Sequence, residues 1–153
     1  MKILFNEHPN KGFQRVGYCS YYGEIFYALE KVCEVTSSCG VPRRTSDFGS
    51  GYDAIVMGFG HTDCGDAGPM ATINDNNIPL FPILNKEYTG LKQKLEWIKN
   101  MKPTAALTVH HDTEEYSKIT GVPSHRIMWS ANENLFKDYG EDYKYDLFFS
   151  GVT

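Results

Sequence analysis

A short apolar stretch that ends in two histidines and an aspartate, residues 103–112, most constrains what this chain can fold into. Its run of Ala, Leu, Thr and Val is too brief for an ordinary helix and is typical of a strand buried on both faces. Open α/β sheets bind ligands outside the carboxyl ends of their parallel strands. The sequence therefore predicts an α/β fold in which His110, His111 and Asp112 lie at a ligand-binding edge.

Further strands and helices alternate along the chain. Apolar composition predicts strands at about 2–5, 34–37, 52–58, 78–84, 126–130 and 145–150. Helical spacing of apolar residues predicts helices at about 24–33 and 91–101, and a cap at Asp112 or Thr113 followed by Gly121 predicts a short third helix. This order favours a Rossmann-like, doubly wound and mainly parallel sheet of about six strands flanked by helices.

Composition limits the classes of protein to which the chain can belong. With 153 residues, of which 41% are hydrophobic, it is long enough for one well-buried core. Its net charge of -4 and its scattered basic residues argue against binding to nucleic acid or to an anionic membrane. The apolar N-terminal run turns polar after five residues, so we expect neither a signal peptide nor a membrane span, and a cytoplasmic location.

The cysteines predict reduced thiols rather than a disulfide framework. Cys19, Cys33, Cys39 and Cys64 contain no C-x-x-C pair, and a chain of this size does not depend on disulfides. Cys33 and Cys39 also lack the close spacing of structural zinc ligands. We therefore expect buried or surface thiols at these positions.

A polar loop at residues 6–23 precedes the first predicted helix. It contains three glycines, two basic residues and three tyrosines. Helix N-termini offer unpaired N–H groups and a partial positive charge, so the loop is a candidate cradle for a phosphate or a sugar hydroxyl. Arg15 is the candidate anion contact, Gly17 allows close approach of the backbone, and Tyr18 is a candidate substrate contact. An irregular surface loop explains the same composition equally well.

The predicted strand at 52–58 ends in G-F-G-H-T-D. Only Gly58 and Gly60 fit a dinucleotide-binding fingerprint, because position 63 is Asp and no ordinary helix begins there. We therefore expect no nicotinamide or flavin site. His61 and Asp63 are predicted to line the crevice at this strand end, with the capping of a turn as the alternative.

Five segments follow one another in the second half of the chain: L-N-K-E-Y, T-V-H-H-D-x-x-E-Y, T-G-V-P, M-W-S-A-N-E-N-L-F-K-D-Y-G and K-Y-D-L-F-F-S-G. This succession resembles the N-terminal half of GT-B glycosyltransferases, in particular the family 1 type related to the spore maturation protein CgeB. The resemblance covers roughly residues 52–151, and it rests on order and spacing rather than on a single signature.

The resemblance implies a glycosyltransferase with two Rossmann-like domains, the first shaping the acceptor side and the second holding most of the nucleotide sugar. Residues 1–140 would then form the acceptor-side domain, and residues 141–153 the linker and first strand of a missing C-terminal donor domain. The implied partners are a nucleotide-sugar co-substrate, with no other cofactor, and a glycan or small-molecule acceptor. We expect the isolated chain to be inactive, because the donor-gripping residues have no counterparts here. The resembling segments add four candidate substrate contacts, Asn85, Lys86, Asn132 and Glu133.

Glycosyl transfer requires a base, or a polarising group, for the acceptor hydroxyl. His110 or His111 could meet this need, and Asp112 could orient the histidine that does. Neighbouring residues of a strand point to opposite faces, so we expect only one histidine to enter the site, and His110 is the preferred candidate. A structural histidine with satisfied hydrogen bonds is the alternative.

Two other interpretations stay open. Asp112 and Glu114 resemble the paired carboxylates that hold a divalent ion in GT-A glycosyltransferases, but acidic residues are also favoured in the first turn of a helix, and we expect no metal. A non-catalytic flavodoxin-like or receiver-like module would use the same sheet for ligand binding or interaction. In that case the apolar strand at 145–150 could pair with a second copy of the chain to form a homodimer.

Overall fold

The fold alternates strands and helices, which confirms the predicted α/β class. The computed structural model describes residues 1–7, 21–39, 42–58, 72–84, 87–127 and 140. A 3-10 turn at Thr45–Phe48 lies between the second and third strands. The elements in chain order are β1 (Lys2–Glu7), α1 (Tyr21–Glu30), β2 (Glu34–Cys39), β3 (Ala54–Met57), β4 (Leu80–Pro82), α2 (Leu91–Met101), β5 (Ala106–Thr108), α3 (Thr113–Thr120) and β6 (Ser124–Arg126).

Every strand pair in the described ranges is parallel, but the strands do not form one large sheet. Four strands form a main sheet in the order β2-β1-β3-β4, and β5 pairs with β6 in a second sheet. A single isolated bridge, between Ile83 and Leu107, connects the two. Within the described residues the main sheet therefore has four strands, fewer than the predicted six or so.

Proline accounts for the break between β4 and β5. The Ile83 N–H donates to the Met57 carbonyl of β3, whereas the Leu84 N–H donates to the Leu107 carbonyl. Alternation along the backbone thus turns Pro82 toward β5, and proline has no N–H to donate. A continuous ladder cannot form at this position, and one bridge remains.

Both faces of the sheet are buried at β1 and β3, which are apolar at consecutive positions, whereas the edge strand β2 is polar and not buried. The larger cluster lies on the face that α2 and α3 cover and includes Leu4, Ile55, Met57, Leu80, Leu95, Ile98 and Tyr116. The smaller cluster lies on the opposite face around α1 and includes Ile3, Phe5, Phe26, Val56 and Ile83. Full burial of such a side chain contributes about 1.5–3 kcal/mol, so both faces anchor the sheet that carries the strand ends.

The helix predictions were most accurate for α2 and α3, while one strand is displaced. The last turn of α3 ends at Gly121, which adopts the left-handed conformation (φ 71°) that favours glycine. Strand β6 starts at Ser124 instead of near position 126, because the Pro123 carbonyl accepts the Ala106 N–H at 2.8 Å and the ladder begins directly after the proline. The predicted strand at 145–150 lies outside the described residues.

None of the helices in the described part of the chain is both long enough and apolar enough to cross a bilayer.

Candidate functional site

The histidine pair follows β5 at the edge where the parallel strands end. Strand β5 stops at Thr108, and His110 and His111 lie in the bend before α3, where both are exposed. The alternation of strand side chains therefore does not extend to them. Their ring centroids are 6.3 Å apart, with the ring planes at 66°.

The imidazole of His110 contacts the carboxylate of Asp112. The Nδ1 atom of His110 lies 3.1 Å from a carboxylate oxygen of Asp112, and the side chains are 47% and 54% exposed. When Nδ1 donates its hydrogen to the carboxylate, the neutral imidazole presents Nε2 as a proton acceptor. An exposed pair contributes only about 0–1 kcal/mol to stability, so its main effect is on the orientation and tautomer of the imidazole.

The side chain of Asp112 contacts His110 instead of capping its own helix. It occupies the N-cap position of α3, where an aspartate carboxylate ordinarily accepts a backbone N–H of the first turn, but its side chain makes no capping hydrogen bond. Only its main-chain carbonyl takes part in the helix, by accepting the Tyr116 N–H at 3.0 Å. The carboxylate faces the imidazole instead of the helix.

A buried polar network lies directly beneath His110. The hydroxyl of Thr108, which is fully buried, donates to a carboxylate oxygen of Glu87. The same hydroxyl oxygen accepts the main-chain N–H of His110 at 3.0 Å. Glu87 follows β4 and is only 8% exposed, so the ends of β4 and β5 both contribute to the support of the histidine.

Tyr116 forms one wall of the site. One helical turn separates it from Asp112, which brings its ring alongside that of His110, with centroids 6.1 Å apart and ring planes at 20°. Burial raises the pKa of the Tyr116 phenol to about 12, and the charges of Glu87, Asp112 and Glu115 add to this effect. The phenol is therefore protonated at neutral pH, in a site that carries an excess of negative charge.

The structure brings together the three predicted catalytic residues and adds Glu87, Thr108 and Tyr116, which sequence reasoning missed. The available signal for Glu87 was its position just after a predicted strand, at the same edge as the histidines. The predicted substrate contacts stay predictions, because they lie outside the described residues: Arg15, Gly17, Tyr18, His61, Asp63, Asn85, Lys86, Asn132 and Glu133. Within the described ranges, no three His, Cys, Asp or Glu side chains are grouped so that they could hold a metal ion.

No family model, no curated protein and no solved structure matches this chain.

Proposed function

We propose that this chain is the acceptor-side domain of a GT-B glycosyltransferase, a Rossmann-like domain that presents a hydroxyl acceptor to a nucleotide sugar held mainly by a second domain. The observation that carries the proposal is the orientation of Asp112, whose carboxylate contacts His110 at 3.1 Å and does not cap its own helix. The order of the sequence segments and the parallel α/β arrangement support the same assignment.

His110 is the proposed general base. With its Nδ1–H directed at Asp112, the Nε2 lone pair accepts the proton of an acceptor hydroxyl while that oxygen attacks the anomeric carbon of the donor. The bond between the anomeric carbon and the nucleotide diphosphate breaks, and its electron pair leaves with the diphosphate. The Asp112 carboxylate stabilises the imidazolium that forms, as an aspartate does beside a catalytic histidine in other enzymes.

Binding of the acceptor can be tested on the chain itself. We would titrate isotope-labelled protein with simple glycosides and with nucleotide sugars, and follow the histidine ring resonances by NMR. Glycosides are expected to shift the His110 resonances, and His110→Ala is expected to weaken binding. His125→Ala is the matched control, because His125 is exposed on β6 and has no carboxylate partner among the described residues.

Two outcomes of this titration would contradict the proposal. Glycosides that bind only at sites away from the strand ends would remove His110 from the reaction. A nucleotide sugar that binds strongly at such a site would contradict the proposed division between acceptor and donor sides. The architecture is tested separately by reading the gene beyond Thr153, where we expect a second Rossmann-like domain.

A further inference from the structure

Glu87 is a buried acidic residue at one end of the Thr108 network. Its side chain is 8% exposed, and its one hydrogen bond to the described residues comes from the Thr108 hydroxyl. Removing a carboxylate from water is costly unless it is paired or hydrogen-bonded, and one neutral donor compensates only part of that cost.

The carboxylate does, however, determine the direction of a hydrogen-bond chain. A hydroxyl can donate one hydrogen and can also accept, whereas an ionised carboxylate can only accept. The Thr108 hydroxyl donates to Glu87, which leaves its lone pairs for the His110 N–H, 3.0 Å away. A glutamine at position 87 has both an acceptor and a donor, so it would allow the Thr108 hydrogen to turn toward the His110 N–H and oppose that bond.

The fixed main chain of His110 in turn determines where its imidazole lies. Residues 109–111 form the bend between β5 and α3, and the N–H of His110 is held at the start of that bend by Thr108. Both Thr108 and Glu87 are buried, so solvent cannot readily replace either contact. The ring then meets Asp112 on one side and Tyr116 on another.

We propose that Glu87 is a positioning residue for His110: its acceptor-only carboxylate orients the Thr108 hydroxyl, which holds the bend that brings Nδ1 of His110 to Asp112. This inference deepens the proposed function, because it rests on His110 as the base. It assigns to Glu87 an effect on the tautomer of His110, and a carboxylate that only supports the fold would have no such effect.

The experiment is long-range ¹H–¹⁵N NMR of the imidazole nitrogens, which reports the Nδ1–H and Nε2–H tautomers of His110 directly. In Glu87→Gln, we expect the ratio of the Nδ1–H to the Nε2–H tautomer of His110 to fall by about tenfold. Loss of the hydrogen bond from Nδ1–H to the charged Asp112 carboxylate would produce a change of this size. Glu114→Gln, an exposed change in the first turn of α3, is the matched control and should leave the ratio unchanged.

Two Thr108 variants keep the test decisive if Glu87→Gln does not fold. Thr108→Val removes the relay hydroxyl and should lower the tautomer ratio, whereas Thr108→Ser keeps the hydroxyl and should restore it. A ratio that is unchanged in Glu87→Gln or Thr108→Val, with only the unfolding temperature lowered, would overturn the proposal. If the ratio responds as expected but no glycoside shifts His110, the positioning role stands and the glycosyltransferase assignment fails.

Discussion

Two threonines with 0% exposure, Thr45 and Thr108, belong to polar networks of opposite design. The Thr45 hydroxyl lies within 3.1 Å of side-chain oxygens of Asn74, Asp75 and Asn76, and this network joins the 3-10 turn to the loop before β4. The Thr108 network ends at a half-exposed imidazole. The comparison teaches that a buried threonine can join two segments of the fold, as Thr45 does, or support a side chain of the proposed site, as Thr108 does.

The aspartates of the two networks differ in the same way. Asp75 accepts the N–H of Ser46 at 3.0 Å and its hydroxyl at 2.7 Å, and these bonds hold the pKa of its carboxyl below the ordinary value of 3.8. It thereby joins the loop before β4 to the 3-10 turn, beside the backbone bridge between Arg44 and Ile73. Asp112 instead directs its charge at a histidine. Substitutions at the two networks should therefore affect different measurements.

The largest effect is expected from His110→Ala. A general base contributes about 10²–10⁴-fold, so under the proposed function sugar transfer by this domain joined to its proposed donor domain should fall by at least about 100-fold. The free energy of unfolding should change by less than about 0.5 kcal/mol, because the side chain is half-exposed. Transfer assays and urea unfolding measure the two quantities. A variant that transfers sugar at the wild-type rate, or that loses much of its stability, would contradict the proposed difference between the two networks.

Thr45→Val should give the opposite result. It removes the single hydroxyl hydrogen that the oxygens of Asn74, Asp75 and Asn76 share. Since two of these residues are exposed and can bind water, the free energy of unfolding should fall by about 1 kcal/mol, the size of one hydrogen bond. Glycoside titration at His110 should be unchanged. Thr45→Ser, which keeps the hydroxyl, is the control in urea unfolding and should retain most of the stability. Loss of binding in Thr45→Val would show that the two networks are coupled.

Asp75→Asn should alter the pH dependence of stability. Because the folded pKa is depressed, the contribution of this carboxylate is present above pH 3.8 and is lost as the pH falls through the lower folded value. The difference in unfolding free energy between wild type and variant, the stability gap, should be present at neutral pH and should disappear in strong acid. Unfolding curves across that range measure the gap, with the exposed substitution Glu96→Gln as control. A gap independent of pH would assign the effect to packing.

The smallest effect is expected from Tyr116→Phe, which keeps the ring beside His110. At neutral pH the unfolding free energy should change by about 1 kcal/mol or less. Because the folded pKa is raised to about 12, the phenol's contribution is fully present below pH 10 and is lost as the pH rises through about 12. Wild type should therefore lose stability in this alkaline window relative to the variant. Parallel unfolding curves for the two proteins would contradict the assignment.

Much of the fold could be predicted because burial on both faces leaves a simple signal in the sequence. The runs at β1 and β3 are apolar at consecutive positions, as expected for strands that contribute to both core clusters. The backbone hydrogen bonds between strands could not be predicted, because composition does not encode them. Pro82 interrupts the pairing of β4 with β5, while the Pro123 carbonyl begins the ladder between β5 and β6. The two prolines thus have opposite effects on the two sides of β5.

The site could be predicted only where its residues are neighbours in sequence. Asp112 lies two positions from His110, and the adjacency itself suggested that the two meet. Glu87 lies 21 positions from Thr108, and their contact depends on how far the ends of β4 and β5 extend past one another. Thr45 and Asp75, 30 positions apart, meet for a similar reason. Such contacts follow from the three-dimensional register of strands and loops, which local patterns do not specify.

The isolated bridge between Ile83 and Leu107 also affects the local unfolding of the protein. Few main-chain hydrogen bonds join β4 to β5, so side-chain packing from α2 and α3 supplies most of the cohesion at this seam. Segments with few such bonds undergo local opening at a lower free energy than a continuous ladder. In hydrogen–deuterium exchange, the amides of β5 and β6 should therefore exchange before those of β1 and β3. Local opening of this kind would displace β5 and the bend that follows it, where His110 lies, while the β1–β3 ladder stays paired.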